Sequence, residues 1–108
     1  MHDGRQSLDF TAINAAVLAV AGPVLFRLAP GGTVQAGEYV ALNPRRADHR
    51  LGSFRVNMRT GRWADFATGD RGGDIISYAA YAWNCSQVEA ARALARMIGI
   101  EIGARAHG

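Results

Sequence analysis

The stretch NPRRADHRLGSFRVNMRTGRWADFATGDRGGDIISY, residues 43–78 of a 108-residue chain, decides the fold. In its centre Phe54, Val56 and Met58 alternate with polar residues, which is the period-two pattern of a strand with one buried face. The Arg-Thr-Gly that follows at 59–61 fits a three-residue hairpin loop, with the glycine in the left-handed conformation. The sequence therefore predicts a β-hairpin over residues 53–68.

The length of this loop sets the predicted register of the hairpin. A three-residue loop places Val56 opposite Ala64 and Phe54 opposite Phe66, so these four side chains are predicted to face the core. Trp63 then lies on the outer face of the hairpin, close to two arginines. The alternative is that Trp63 is covered by the N-terminal helix and belongs to the core.

Apolar residues at spacings of three and four between residues 8 and 28 predict an amphipathic helix. Ser7 or Asp9 can cap its start, and Pro23 is expected to kink it or to begin a second short helix. A Pro-Gly-Gly sequence at 30–32 ends this region. The next segment, residues 38–42, predicts a short strand that stops at an Asn-Pro pair.

Two further helices are predicted after the hairpin. Asp74 can cap a helix that reaches about Trp83, and the Ser-Gln-Val-Glu sequence at 86–89 is a capping box for a last helix ended by Gly99. The glycines at 69, 72 and 73 could bring backbone amides close to a phosphate, although glycines before a helix also serve conformation alone. The predicted fold is a single α+β domain, residues 1–108, with an antiparallel sheet of about three strands.

The bulk composition agrees with a folded globular domain, because 49% of the residues are hydrophobic and 19% are charged. No apolar run approaches the roughly 18 residues that span a bilayer, and the N-terminal residues lack the order of a secretory signal. We therefore expect no membrane segment and a cytoplasmic location. The single Cys85 cannot form an internal disulfide.

The basic charge of the chain is concentrated in its middle third. All twelve basic residues are arginines, and seven of them lie between residues 43 and 71, where only three of the nine acids lie. Planar guanidinium groups suit contacts with phosphate, and an aromatic ring beside them can stack on a base. The alternative is a solvated face with no partner. The predicted nucleic-acid contacts are Arg45, Arg46, Arg50, Arg55, Arg59, Arg62 and Arg71 to phosphate, with Trp63 stacking on a base.

Motifs of catalysis and of metal binding are missing from the sequence. There is no Walker-type phosphate loop, no HExxH and no GxSxG. Asp65, Asp70 and Asp74 could suggest a magnesium site, but Asp65 is predicted to face an arginine across the hairpin and Asp74 to cap a helix. We expect a protein that is not an enzyme and that uses no cofactor or metal.

Four short motifs occur in a recognisable order: Asn-Pro-Arg-Arg at 43–46, Gly-Ser-Phe at 52–54, Asp-Phe-Ala-Thr at 65–68 and Gly-Gly-Asp-Ile-Ile-Ser-Tyr at 72–78. Together they resemble the N-terminal zinc ribbon of bacterial-type DNA primases. The likeness is greatest to the modules of phage, plasmid and integrated-element proteins with a toprim or helicase part. That family has Cys-Pro-x-His first, Cys-x-x-Cys third and Asp-x-Ile-x-Phe last. Asn, Arg, Asp and Thr stand at its ligand positions here, and they cannot form a tetrahedral zinc site.

The resemblance spans roughly residues 38–98 and implies a zinc-ribbon-like fold without zinc. It implies a non-catalytic module that binds single-stranded DNA, working beside a replication helicase or toprim protein. A second hypothesis is a small phage or mobile-element protein that binds a host enzyme, such as a defence nuclease, and inhibits or recruits it.

Overall fold

The computed structural model describes residues 9–45 and 52–99, and their fold belongs to the predicted α+β class. The described residues form an antiparallel sheet of five strands, two more than expected, whose order along the sheet follows the chain. The helices are α1 (Phe10–Leu18), α2 (Ala21–Leu28), α3 (Ile75–Trp83) and α4 (Gln87–Ile98). The strands are β1 (Thr33–Gln35), β2 (Glu38–Ala41), β3 (Phe54–Asn57), β4 (Trp63–Asp65) and β5 (Arg71–Gly72).

The N-terminal region is divided into two helices, one of the two outcomes predicted for Pro23. The axes of α1 and α2 meet at 99°, and Pro23 lies in the first turn of α2, where its missing N–H leaves no hydrogen bond unmade. The Asp9 carboxylate caps α1 by accepting from the amide of Ala12 at 3.0 Å. The other predicted cap, Ser7, lies outside the described residues. No single helix in the described residues is long and apolar enough to cross a bilayer. Only α1 and α2 taken together, as a pair bent by 99°, reach that length and apolar composition.

The two C-terminal helices begin and end where the sequence predicts. The Asp74 carboxylate accepts from the amide of Ser77 at 2.8 Å and so caps α3. At the start of α4 the side chains of Ser86 and Glu89 each accept from the other residue's amide at 3.0 Å, which completes the capping box. Gly99 ends α4 in the left-handed conformation.

The core lies between the helices and one face of the sheet. Helix α3 packs on the sheet, with the ring of Tyr78 stacked on that of Phe54 at a centroid distance of 5.2 Å, and α4 packs in turn on α1 and α3. The other face of the sheet carries Arg55, Ala64 and Arg71 in one cross-strand row. We call this the outer face.

The register of the central hairpin differs by one residue from the prediction. Val56 lies opposite Trp63, and Phe54 opposite Asp65, because the loop contains four residues (58–61) and not three. The cause is Asn57, whose side-chain oxygen accepts from the amides at positions 59 and 60 at 2.8 and 3.0 Å. Such a turn at an asparagine ends the strand earlier than its alternation suggests. A one-residue shift reverses the faces of the second strand, so the prediction that Ala64 and Phe66 face inward is wrong.

Candidate nucleic-acid interface

The indole of Trp63 lies in the core and not on the outer face. The residue is only 6% exposed, and its Nε1 donates to Ser77 Oγ at 2.9 Å. Its ring centroid is 4.8 Å from that of Tyr81. The prediction that Trp63 stacks on a base from an exposed surface is therefore wrong. The alternative of a core tryptophan is confirmed, although the partners named here belong to α3 and not to the N-terminal helix.

Phe66 is the aromatic residue that the outer surface presents instead. Because Asp65 points inward, the next residue points outward, and Phe66 is 73% exposed. Its amide donates to the carbonyl of Ser53 at 2.9 Å, which fixes the backbone at this position. The alternation along the second strand of the hairpin was visible in the sequence, but the predicted register placed Phe66 on the inner face and Trp63 on the outer face, the reverse of what is observed.

The outer face contains an open groove of about 760 Å³. Arg55 and Arg71 stand on either side of Ala64 in the same row, two strand spacings or roughly 9–10 Å apart at their Cα atoms. The small side chain of Ala64 leaves space between these cations. We call this the sheet groove, and its charged and aromatic lining residues are Glu38, Arg55, Arg62, Trp63, Phe66 and Arg71.

The three groove arginines differ in how firmly they are held. Arg55 donates from Nε to the carbonyl of Gly52 at 2.8 Å and from Nη1 to Glu38 Oε1 at 3.2 Å. Arg62 and Arg71 are exposed, and within residues 9–45 and 52–99 their guanidinium groups have no hydrogen bond or ion pair. The groove therefore offers two open cations and one that is already paired.

Two other predicted arginines, Arg45 and Arg59, do not line this groove. The Arg45 guanidinium lies over the ring of Tyr81, 5.2 Å from its centroid, and donates from Nη1 to that residue's carbonyl at 3.2 Å. Arg59 is exposed in the hairpin loop and does not line the groove. Arg46 and Arg50 lie outside the described residues. Of the five predicted arginines that lie in the described residues, the structure thus brings together three.

A polar network around the buried side chains of Asn43 and Asp65 lies at the end of the hairpin away from its loop. The Asn43 amide Nδ2 donates to Asp65 Oδ2 at 2.7 Å and to the Tyr81 hydroxyl at 2.8 Å. Burial raises the pKa of Tyr81, and the hydrogen bond to Asp70 adds to the rise, so the hydroxyl keeps its proton and donates it to Asp70 Oδ2 at 2.8 Å. The predicted arginine opposite Asp65 is wrong, because Phe54 occupies that place. These bonds tie the loop at residue 43 to β4 and α3.

The three carboxylates that could have suggested a magnesium site, Asp65, Asp70 and Asp74, each make hydrogen bonds that hold the fold together. Asp74 caps α3 and accepts from Asn14 Nδ2 at 3.3 Å, while Asp65 and Asp70 belong to the polar network. In the part of the chain that the structure describes, no three His, Cys, Asp or Glu side chains gather in a group that could hold a metal ion. Comparisons of this chain with models of protein families, with curated proteins and with solved structures give no match.

Proposed function

We propose that this protein is a non-catalytic module that binds single-stranded nucleic acid, DNA in the first place, in the sheet groove. The observation that supports this proposal is the convergence of Arg55, Arg62 and Arg71 with the exposed ring of Phe66 around a shallow floor. Guanidinium groups donate in pairs to phosphate oxygens, and a solvated aromatic ring offers a stacking surface to a base.

The exposed ring favours a single strand over a duplex. A base can stack on Phe66 only when its own neighbours leave that face free, which is the situation in an unpaired strand. The groove is open and has cations on both sides of Ala64, so a strand can run across it with phosphates at the arginines. A duplex would present its phosphates but no base face.

The resemblance to primase ribbons receives support from the contact between Asn43 and Asp65. Both residues stand at positions that hold zinc in that family, and here a hydrogen bond of 2.7 Å joins them. We propose that this chain keeps the ribbon's arrangement with a hydrogen-bond network in place of the metal. In this proposal it is a cytoplasmic module of a phage, plasmid or integrated-element replication system, working beside a helicase or toprim protein.

The test is fluorescence anisotropy with a labelled strand of about 12 nucleotides between about 50 and 200 mM salt. Three phosphate contacts on a single strand give a log–log slope of about −2, so affinity should fall roughly 10- to 20-fold over this range. The double variant Arg62→Gln/Arg71→Gln should bind about tenfold more weakly at low salt and with a flatter salt dependence. The matched control is Arg92→Gln/Arg96→Gln, which removes the same charge from exposed positions on α4.

The control should change the affinity by less than about threefold, because screened charges far from the site contribute little. Absence of binding at low salt would contradict the proposal. So would an equal loss of affinity in the two double variants, since that result would reflect net charge and not the groove.

A protein-interaction role is the second candidate, and it is favoured by β1, which among the described strands pairs with β2 alone and so lies at the edge of the sheet. All three residues of β1 are exposed, and Val34 is 60% exposed. The strand has neither a charged residue nor a proline, which are the usual guards of an edge, and strand addition is a common mode of protein recognition. Its partner in this proposal is a host enzyme such as a defence nuclease.

Capture from nuclease-treated host lysate distinguishes this candidate from the first. A partner that the wild-type protein retains after nuclease treatment, and that Val34→Lys loses, supports strand addition at β1. A partner that disappears on nuclease treatment was bridged by nucleic acid and supports the first proposal instead.

A further inference from the structure

A carboxylate stands inside the basic groove. Of the described residues that line the sheet groove, Glu38 is the one acid. Its Oε1 lies 3.2 Å from Nη1 of Arg55, and the two side chains are 37% and 30% exposed, so the ion pair is open to solvent. A solvated ion pair of this kind is weak and can exchange its partner.

Arg55 keeps its orientation independently of that carboxylate. Its Nε donates to the carbonyl of Gly52 at 2.8 Å, and the separate Nη1 atom faces Glu38. A phosphate oxygen accepts from a guanidinium in the same way as a carboxylate oxygen does. Removal of the carboxylate would therefore leave a guanidinium that is already aimed into the groove.

We propose that Glu38 occupies the place of a phosphate on Arg55 and that a nucleic-acid strand displaces it on binding. This inference rests on the function proposed above. An isolated phosphate gains one contact at Arg55 and must displace Glu38 to do so. A strand of adjacent phosphates contacts Arg62 and Arg71 as well, and these contacts drive the exchange. Glu38 thus determines specificity at Arg55, because it makes this arginine select the phosphates of a contiguous strand over single anions.

The variant Glu38→Gln tests this exchange in the same anisotropy assay. We expect binding about five- to thirty-fold tighter at low salt, because the strand no longer has to displace a carboxylate, and a log–log salt slope close to that of the wild type, because Arg55 contacts a phosphate in both proteins. The matched control is Asp9→Asn, which removes one negative charge at the exposed start of α1 and leaves a residue that also caps helices. The control should change the affinity less than about twofold, since that charge is screened from the groove.

A double variant tests whether the gain in affinity of Glu38→Gln depends on Arg55. In Glu38→Gln/Arg55→Gln the freed guanidinium is gone, so affinity should return to within about threefold of the wild type. Circular dichroism shows whether each variant is folded. Competition by inorganic phosphate should be stronger against Glu38→Gln than against the wild type.

Failure of this inference can be told apart from failure of the proposed function. If the strand binds through Arg62 and Arg71 but Glu38→Gln behaves like Asp9→Asn, only the exchange at Arg55 is overturned. A gain that persists in the double variant also overturns it. If neither the wild type nor Glu38→Gln binds the strand at low salt, both the exchange and the proposed function are overturned.

Discussion

The hydroxyl of Tyr78 is buried with no hydrogen-bond partner in the described part of the chain, although its ring is well packed against Phe54 and Trp63. Burial raises the pKa of this hydroxyl well above its ordinary value of 10.0, so it stays protonated. A buried donor without a partner costs about 1–3 kcal/mol. Tyr39 differs, because its hydroxyl donates to the carbonyl of Ala29 at 2.6 Å and accepts from the amide of Gly32 at 3.2 Å.

Removal of these two hydroxyls should therefore have opposite effects on stability. Tyr78→Phe should leave the free energy of unfolding unchanged or raise it by up to about 2 kcal/mol, whereas Tyr39→Phe should lower it by about 1–2 kcal/mol. Urea denaturation at neutral pH measures both. A larger loss in Tyr78→Phe than in Tyr39→Phe would show that the Tyr78 hydroxyl has a partner.

Phe66 should contribute to binding and not to folding. Phe66→Ala removes a stacking platform that is worth about 1–3 kcal/mol per base, so the affinity for a single strand should fall by about five-fold or more. The free energy of unfolding should change little, because the ring is exposed. Phe26→Ala is the control, since Phe26 is 54% exposed on α2 and does not line the groove. If Phe66→Ala and Phe26→Ala bound the single strand with equal affinity, Phe66 would not belong to the binding site.

At the scale of elements, helices were predictable from sequence and the hairpin register was not. Helix ends depend on local chemistry, such as the Asp74 cap, which a few neighbouring residues determine. The hairpin depends on whether Asn57 continues the strand or turns it, and either choice leaves Gly61 in the left-handed conformation, with φ of 83°. Periodicity alone cannot separate the two. The short strands β1 and β5 were missed, because two or three residues carry no recognisable period.

At the junction of β5 and α3 the structure has no room for a side chain at Gly72, whereas it leaves open space at Gly73. A Cβ on Gly72 would collide with the Trp63 indole and with Ser77 Oγ, whereas a Cβ on Gly73 would meet nothing within 4 Å. Gly72→Ala should therefore lower the free energy of unfolding by about 1–3 kcal/mol, the usual cost of overpacking. Gly73→Ala should change it by less than about 1 kcal/mol. Thermal or urea unfolding of the pair measures the difference, and equal losses would place the indole elsewhere.

At the scale of the whole molecule, the candidate site exists only once the sheet is assembled. Glu38 lies on β2, Arg55 on β3 and Arg71 on β5. Both β3 and β5 pair with β4, and this pairing places Arg55 and Arg71 in one cross-strand row. The sequence predicted a basic middle third, because charge can be counted along the chain. It could not predict which arginines share a face. Arg45 lies within that third and yet packs on Tyr81, away from the groove.

The central claim is that the outer face of the sheet holds a nucleic-acid strand. Titration of the ¹⁵N-labelled protein with an unlabelled strand of about 12 nucleotides at low salt, followed by amide chemical shifts, tests it most directly. We expect the largest shifts at Ala64, Phe66, Arg71 and Gly73, and almost none along α4. Shifts confined to α4 or to the loop at Arg45, or no shifts at saturating strand, would contradict the account.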